Sequence, residues 1–187
     1  MVDFVSEDMK AWRKNFRVNS KMKSPNSKLR FLYDIILKNE MTDSDYWYFG
    51  GGANEFINYL SRFDSNDIKE LISDIPNWTE HQIGILTECL TYGGMQYNNH
   101  RNSKVFEYQS FLLTFLFSVT NDEDIKIEIF ENADIINDGK PKPYHLLLLI
   151  KKWADDQRQN WNNHLNIYNP NQIHLQLIEA ALEKANR

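Results

Sequence analysis

One cysteine, five prolines and seven glycines among 187 residues exclude several kinds of protein at once. A lone Cys89 forms neither an internal disulfide framework nor a multi-cysteine zinc site, and it fits a reducing compartment. Glycine and proline are too sparse for a collagen-like or low-complexity chain. No apolar run approaches the roughly 18 residues that a membrane span needs. The longest, around His145–Ile150, stops at Lys151-Lys152. The opening MVDFVSEDMKAWRKNF mixes acids with bases and has no apolar core of a secretory signal. A cytoplasmic protein without a membrane partner is therefore expected. The chain is 42% hydrophobic and 25% charged, an ordinary globular composition that rules out disorder throughout.

Signatures of chemistry are also missing. The histidines His81, His100, His145, His164 and His174 include no pair at the spacing that places two zinc ligands on one helical face. Asp64-Ser65-Asn66-Asp67 and Asn121-Asp122-Glu123-Asp124 hint at calcium loops, yet both lack the glycine and the distal glutamate of an EF-hand. Acids at those places suit helix N-termini instead. Gly50-Gly51-Gly52 has no accompanying lysine and hydroxyl, so it is no phosphate loop. Cys89 sits beside Leu86 and Leu90, where it packs as a small hydrophobe. His81 lies about 12 Å away along the same helix at 1.5 Å per residue, too far to activate the thiol. No catalytic residue, cofactor or metal is assigned, and a non-enzyme is expected.

What the sequence does contain is helical periodicity. Apolar residues recur at three- and four-residue spacing almost throughout, and alternating strand patterns are nearly absent. Seven or more helices follow, over 27–39, 53–63, 66–75, 79–92, 103–119, 122–136, 144–161 and 170–185, after a first one carrying Phe4, Met9, Trp12 and Phe16. Leu86, Leu116 and Leu149 are placed in the core. Thr79…Gln82 and Thr120…Glu123 read as capping boxes. Asn169 reads as the N-cap ahead of Pro170 at the first helical position. Gly93-Gly94 and Gly139 stand where helix ends favour a left-handed residue. A faint repeat offset by about 57 residues relates Phe56…Leu60…Asp67-Ile68-Lys69 to Phe111…Phe115…Asp124-Ile125-Lys126, longer than the usual helical repeats. The fold expected is all-α: an irregular helical-repeat stack of antiparallel helices resembling HEAT or armadillo arrays, or alternatively a compact α-bundle. One all-helical domain would span 1–187, with a basic helix and linker over 1–26.

Charge is unevenly distributed. Residues 1–30 hold eight Lys and Arg against three acids, so the remainder carries −10 of the total −5. A body of that sign repels nucleic acid and attracts basic partners. Two segments form the candidate interface. In Asp43-Ser44-Asp45-Tyr46-Trp47-Tyr48-Phe49, four consecutive aromatics cannot all face inward from a helix that turns about 100° per residue. Asp43, Asp45, Tyr46, Trp47 and Tyr48 are therefore candidate partner contacts, the alternative being that the aromatics plug the end of the helical stack. Asp124, Glu128 and Glu131 follow i, i+4, i+7 spacing and share one stripe, extended by Asp122, Glu123 and Asp134. A solvated face is the alternative for that stripe.

The stretches WTEHQIGILTECLTYGG, SFLLTFLFSVTNDEDIKIEIFENADII and YHLLLLIKKW, within roughly residues 50–155, resemble helical-repeat immunity proteins of bacterial polymorphic toxin systems. The resemblance implies a protein that binds one cognate toxin domain, often a basic nuclease, and blocks its active site or a surface beside it. It implies no catalytic residues. The basic N-terminal segment departs from a uniformly acidic inhibitor surface. Two other readings stand beside this one: a helical-repeat adaptor for an endogenous complex, and a nucleic-acid-binding regulator using residues 10–30.

Overall fold

A computed structural model describes residues 24–39, 42, 46–47, 51–91, 102–165 and 168–187. The expected first helix, Asp43, Asp45, Tyr48 and Gly93-Gly94 lie outside these residues. Of the described residues 78% are helical and none is in a strand, so the all-α class holds. In chain order the α-helices are α1 (Ser27–Asn39), α2 (Gly52–Leu60), α3 (Ser65–Asp74), α4 (Glu80–Thr91), α5 (Lys104–Val119), α6 (Glu123–Glu131), α7 (Ala133–Asp138), α8 (Tyr144–Asn162) and α9 (Gln172–Ala185). A 3-10 turn, Ile75–Asn77, follows α3.

Helix α5 organises the packing. Its sequence KVFEYQSFLLTFLFSV is apolar around most of its surface, with a single stripe through Lys104, Glu107 and Ser118 exposed and Tyr108, Phe111 and Phe115 half-buried along it. It touches α3, α4, α6, α7 and α8 and buries Val105, Leu112, Leu113, Leu116 and Phe117. Helices α1 and α2 pack on each other, α2 on α4, and α9 closes the other end against α7 and α8. The buried side chains form one continuous core. Within it Gln109 Nε2 donates to the Leu90 carbonyl (2.6 Å) and Ser110 Oγ to the Ile136 carbonyl (3.0 Å). These bonds satisfy carbonyls in the last turns of α4 and α7.

The inward faces match the periodicity with one exception. Leu29, Leu32, Ile35, Ile36, Ile83, Leu86, Leu90 and Leu116 are all buried. Leu149 is 47% exposed. Four consecutive leucines cannot all point one way from a helix, and α8 turns Leu146, Leu147, Ile150 and Ala154 inward, leaving Leu148 and Leu149 outside. In the faint repeat, Phe56 and Leu60 are fully buried, whereas Phe111 and Phe115 are half-buried and stacked on each other at 6.3 Å.

Caps follow local chemistry, with three corrections. The Thr79 box forms: Gln82 N–H donates to Thr79 Oγ1 (3.3 Å) and Thr79 N–H to Gln82 Oε1 (3.1 Å). The calcium-like Asp64…Asp67 segment is also a capping box, with Asp67 further bonded by Lys28 and Asn26. At α6, however, the cap is Asp122, which accepts from Asp124 and Ile125 N–H; Thr120 ends α5 instead. At α9 the cap is Asn171, accepting from Ile173 N–H, so Pro170 precedes the helix instead of opening it. Gly139 ends α7 in an extended conformation (φ −76°), not a left-handed one. Its need for glycine is steric: a Cβ there would sit 2.2 Å from Ser110 Cβ. Gly52 has the same basis, since a Cβ would meet Tyr46 and Trp47, while Gly51 supplies the left-handed turn (φ 87°) into α2.

Two outcomes test this packing in denaturant melts. Leu86→Ala and Leu116→Ala should each cost about 2–5 kcal/mol, while Leu149→Ala should stay within about 0.5 kcal/mol of the parent protein. Gly139→Ala should cost about 1–3 kcal/mol through the enforced shift against Ser110.

Candidate functional site

Helices α4 and α6 lie side by side, and their facing surfaces carry acids instead of the apolar residues that cover the core. Along α4 the spacing Glu80, Gly84, Glu88, Thr91 places four residues on one stripe. Across from it α6 presents Asp124, Ile125 and Glu128, preceded by the cap Asp122. A cleft of about 280 Å³ opens between them, lined by Glu80, His81, Gly84, Ile85, Glu88, Asp122, Asp124, Ile125 and Glu128 and closed by Thr42 and Trp47. Gly84 brings the two helices close: a Cβ there would lie 3.4 Å from Ile125 Cδ1.

The cleft is pinned at both ends by its own carboxylates. At one end Glu80 accepts from Thr120 Oγ1 (2.5 Å), from Asn121 N–H (3.0 Å) and from the Asn121 side-chain amide (3.4 Å). Burial alone would raise the Glu80 carboxyl, but these bonds hold it below the ordinary carboxylate value. At the other end the single Thr91 hydroxyl proton is within reach of Glu128 Oε1 (2.7 Å), with the Thr87 and Glu88 carbonyls of its own helix as longer alternatives (3.0 and 3.3 Å).

Between these ties Glu88 and Glu128 bring two carboxylates into the same cleft. Glu88 is half-buried and its Oε1 is enclosed without any hydrogen-bond partner. Burial, and then the nearby Glu128 carboxylate, push Glu88 up from its ordinary 4.5 to about 7. Glu128 is raised too, chiefly by burial, with Glu131 adding to it against the Thr91 bond. Beneath them Cys89 is fully buried, and burial, Glu88 and Glu128 together push its thiol well above its usual range. The thiol is thus kept protonated and out of reach, in keeping with a packing role. No Lys or Arg is among the described residues that line the cleft.

The structure divides the candidate contacts. The α6 stripe is not one solvated face: Asp124 and Glu131 are exposed, but Glu128 turns into the cleft. Glu131 lies outside the cleft lining, and its charge, after burial, helps push the Tyr168 hydroxyl up to about 12. Glu123 is engaged by Lys126, Trp153 and Gln157. Trp47 is no exposed anchor. It is 2% exposed, packs edge-on to Phe56 and to the half-buried Tyr46, and gives the cleft one wall. The aromatic segment and the acidic stripe, read separately from the sequence, therefore meet at one place through Trp47 and Glu128.

Glu80 and Glu88 were absent from the sequence-based candidates. Their signal was the polar stripe 80, 84, 88, 91 inside an otherwise apolar helix, which the hydrophobic face of α4 overshadowed. Chemically the cleft suits a positive charge. Among the described residues no group of three or more His, Cys, Asp or Glu is placed to hold a metal ion. Comparison with protein-family models, with curated proteins and with solved structures gives no match to this chain.

The raised Glu88 carboxyl has a measurable consequence. Unfolded, it titrates near 4.5; folded, near 7. Between those values the folded state holds the extra proton, so its stabilising effect is full below 4.5 and is lost as pH rises through 7. Glu88→Gln removes this dependence. In urea melts at pH 5 and pH 8 the variant should lose less stability than the parent on going to the higher pH. An equal loss in both proteins would show that Glu88 titrates normally.

Proposed function

We propose that this chain is a non-enzymatic, cytoplasmic immunity protein that binds a cognate bacterial toxin domain through its acidic α4–α6 face and so neutralises it. The scaffold for that surface would be an irregular stack of antiparallel helix pairs. The observation that carries the reading is the cleft itself: Glu88 and Glu128 both line it, half-buried, with no Lys or Arg among the described lining residues. Leaving two like charges together is costly in the free protein, and a basic partner surface removes that cost on binding. Exposed Asp124 and Glu131 at the margin add long-range attraction for the same partner.

Rescue of growth tests this. A toxin-bearing reading frame directly upstream in the native genome should kill a bacterial host when expressed alone, and co-expression of this chain should restore growth. Charge reversal at Asp124 and Glu131 should slow association with the purified toxin domain and flatten its salt dependence, because marginal charges steer more than they hold. Glu88→Gln with Glu128→Gln should speed dissociation instead. Unaltered growth inhibition on co-expression, or a toxin that binds both sets of variants like the parent, would overturn the reading.

A further inference from the structure

A second concavity shares no lining residue with the acidic cleft. It holds about 700 Å³ where the first turn of α5, the turn joining α7 to α8 and the end of α9 come together. That volume falls within the roughly 300–1,000 Å³ of small-molecule sites. Its lining runs against the charge of a chain that carries −5 overall: Lys140, Lys142 and Lys184 stand there with one acid, Glu107. Glu107 is already paired with Lys104 (2.5 Å). Tyr108, Pro141 and Ala185 complete the lining and offer aromatic and aliphatic surface beside the cations.

Two of the three ammonium groups are anchored. Lys142 Nζ donates to the Gly139 carbonyl, and Lys184 Nζ donates to Asn137 at its side-chain oxygen (2.8 Å) and its carbonyl (3.3 Å). Both carbonyls lie at the C-terminal end of α7, so these bonds help to finish that helix. They do not exhaust the donors. An ammonium carries three, of which Lys142 spends one and Lys184 two. Lys140 makes no hydrogen bond or ion pair among the described residues. The three charges also act on one another: Lys142 is held below the ordinary lysine value, by burial first and then by Lys184 and Lys140, with Asp138 opposing. An anion among them relieves that repulsion, and the anchored side chains lose little freedom on meeting it.

Charge and shape decide which anion. A carboxylate brings one charge and two oxygens. A phosphomonoester brings about −1.5 to −2 and three acceptor oxygens, enough to meet three ammonium groups together. Lysine serves phosphate as a point charge and needs no forked geometry. The space is larger than a bare phosphate, which leaves room for an organic body along Tyr108, Pro141 and Ala185. We propose that this concavity binds a phosphorylated small molecule, its phosphate among Lys140, Lys142 and Lys184 and its organic part against Tyr108 and Pro141. Such a site is independent of the toxin-binding reading.

The probes are phenyl phosphate, inorganic phosphate and benzoate, added at constant ionic strength to the full chain labelled with nitrogen-15. The reporters are the assigned amides of Gly139, whose carbonyl Lys142 bonds, and of Ala185 in the lining. Phenyl phosphate should shift both saturably at millimolar concentration. Inorganic phosphate should bind about threefold more weakly and benzoate at least about fivefold more weakly. Tyr108→Ala should weaken phenyl phosphate about threefold and leave inorganic phosphate unchanged. Lys140→Gln with Lys142→Gln and Lys184→Gln should weaken phenyl phosphate about tenfold or more. Because Lys142 and Lys184 also hold the end of α7, Lys140→Glu is the second variant. It breaks no bond of the free chain and should still weaken phenyl phosphate about threefold or more, with melting curves confirming that each variant is folded. Unmoved amides, equal affinity for benzoate and phenyl phosphate, or a Lys140→Glu protein that binds like the parent would overturn the proposal. Equal affinity for inorganic phosphate and phenyl phosphate would overturn its organic part. Cosedimentation with vesicles containing phosphatidic acid separates a lipid source from a soluble one. The chain should stay in solution; pelleting that phenyl phosphate reverses would overturn the small-molecule assignment.

Discussion

Helix α5, against which five other helices pack, is the constraint on which the rest of the structure depends. Its apolar surface extends around all but one stripe, so hydrophobic attraction alone would let its neighbours slide and rotate over it. Two polar side chains remove that freedom. Gln109 bonds the Leu90 carbonyl at the end of α4, and Ser110 bonds the Ile136 carbonyl near the end of α7. Both bonds are buried, so breaking either leaves a donor and an acceptor without water to replace the partner. They fix the axial position of two helices against a third, and Gly139 lets α7 come close enough to do so.

From that fixed α4 the cleft follows. Its C-terminal end is held to α5 by Gln109 and to α6 by the Thr91–Glu128 bond; its N-terminal end is held by Glu80 to the Thr120–Asn121 turn that joins α5 to α6. The same turn is shaped by Thr120 Oγ1 accepting from Asp122 N–H (3.1 Å). Between these tied ends lies Glu88, whose Oε1 has no hydrogen-bond partner, flanked by carboxylates that have theirs.

How much of this was legible in the sequence depends on the scale of the signal. Helical periodicity summed over ten or more residues located the helices and their inward faces, because burial of a whole stripe outweighs any single residue. The Thr79 box was legible because both of its partners are local. At the next cap Thr120 was the expected residue, but Asp122 accepts from the first N–H groups of α6, while the Thr120 hydroxyl donates to Glu80, forty residues away, and accepts from Asp122 N–H. Leu149 failed for the opposite reason. A continuous leucine run carries no periodicity, so nothing local distinguished it from Leu147. Of the site, the acids of α6 were legible as a stripe, but the facing half on α4 was not. Its acids alternate around a glycine in a helix whose apolar content dominates, and only the packing of α4 on α6 shows that Glu88 meets Glu128.

The division between rim and floor then sets how such a surface would act on a basic partner. Asp124 and Glu131 stand in water, where screening over about 8–10 Å limits them to guiding an approaching charge. Glu88 and Glu128 are half-buried near the fully buried Cys89, so a cation reaching them would interact through a far less polarisable medium. The same medium that raises their carboxyls in the free protein strengthens the pairing once a cation arrives. A positive charge brought beside Glu88 would favour its ionised form and so oppose the rise that burial imposes. The raised carboxyls and the pairing they would offer a cation therefore have one origin: Glu88 and Glu128, drawn partly out of water between helices that are tied at both ends of the cleft.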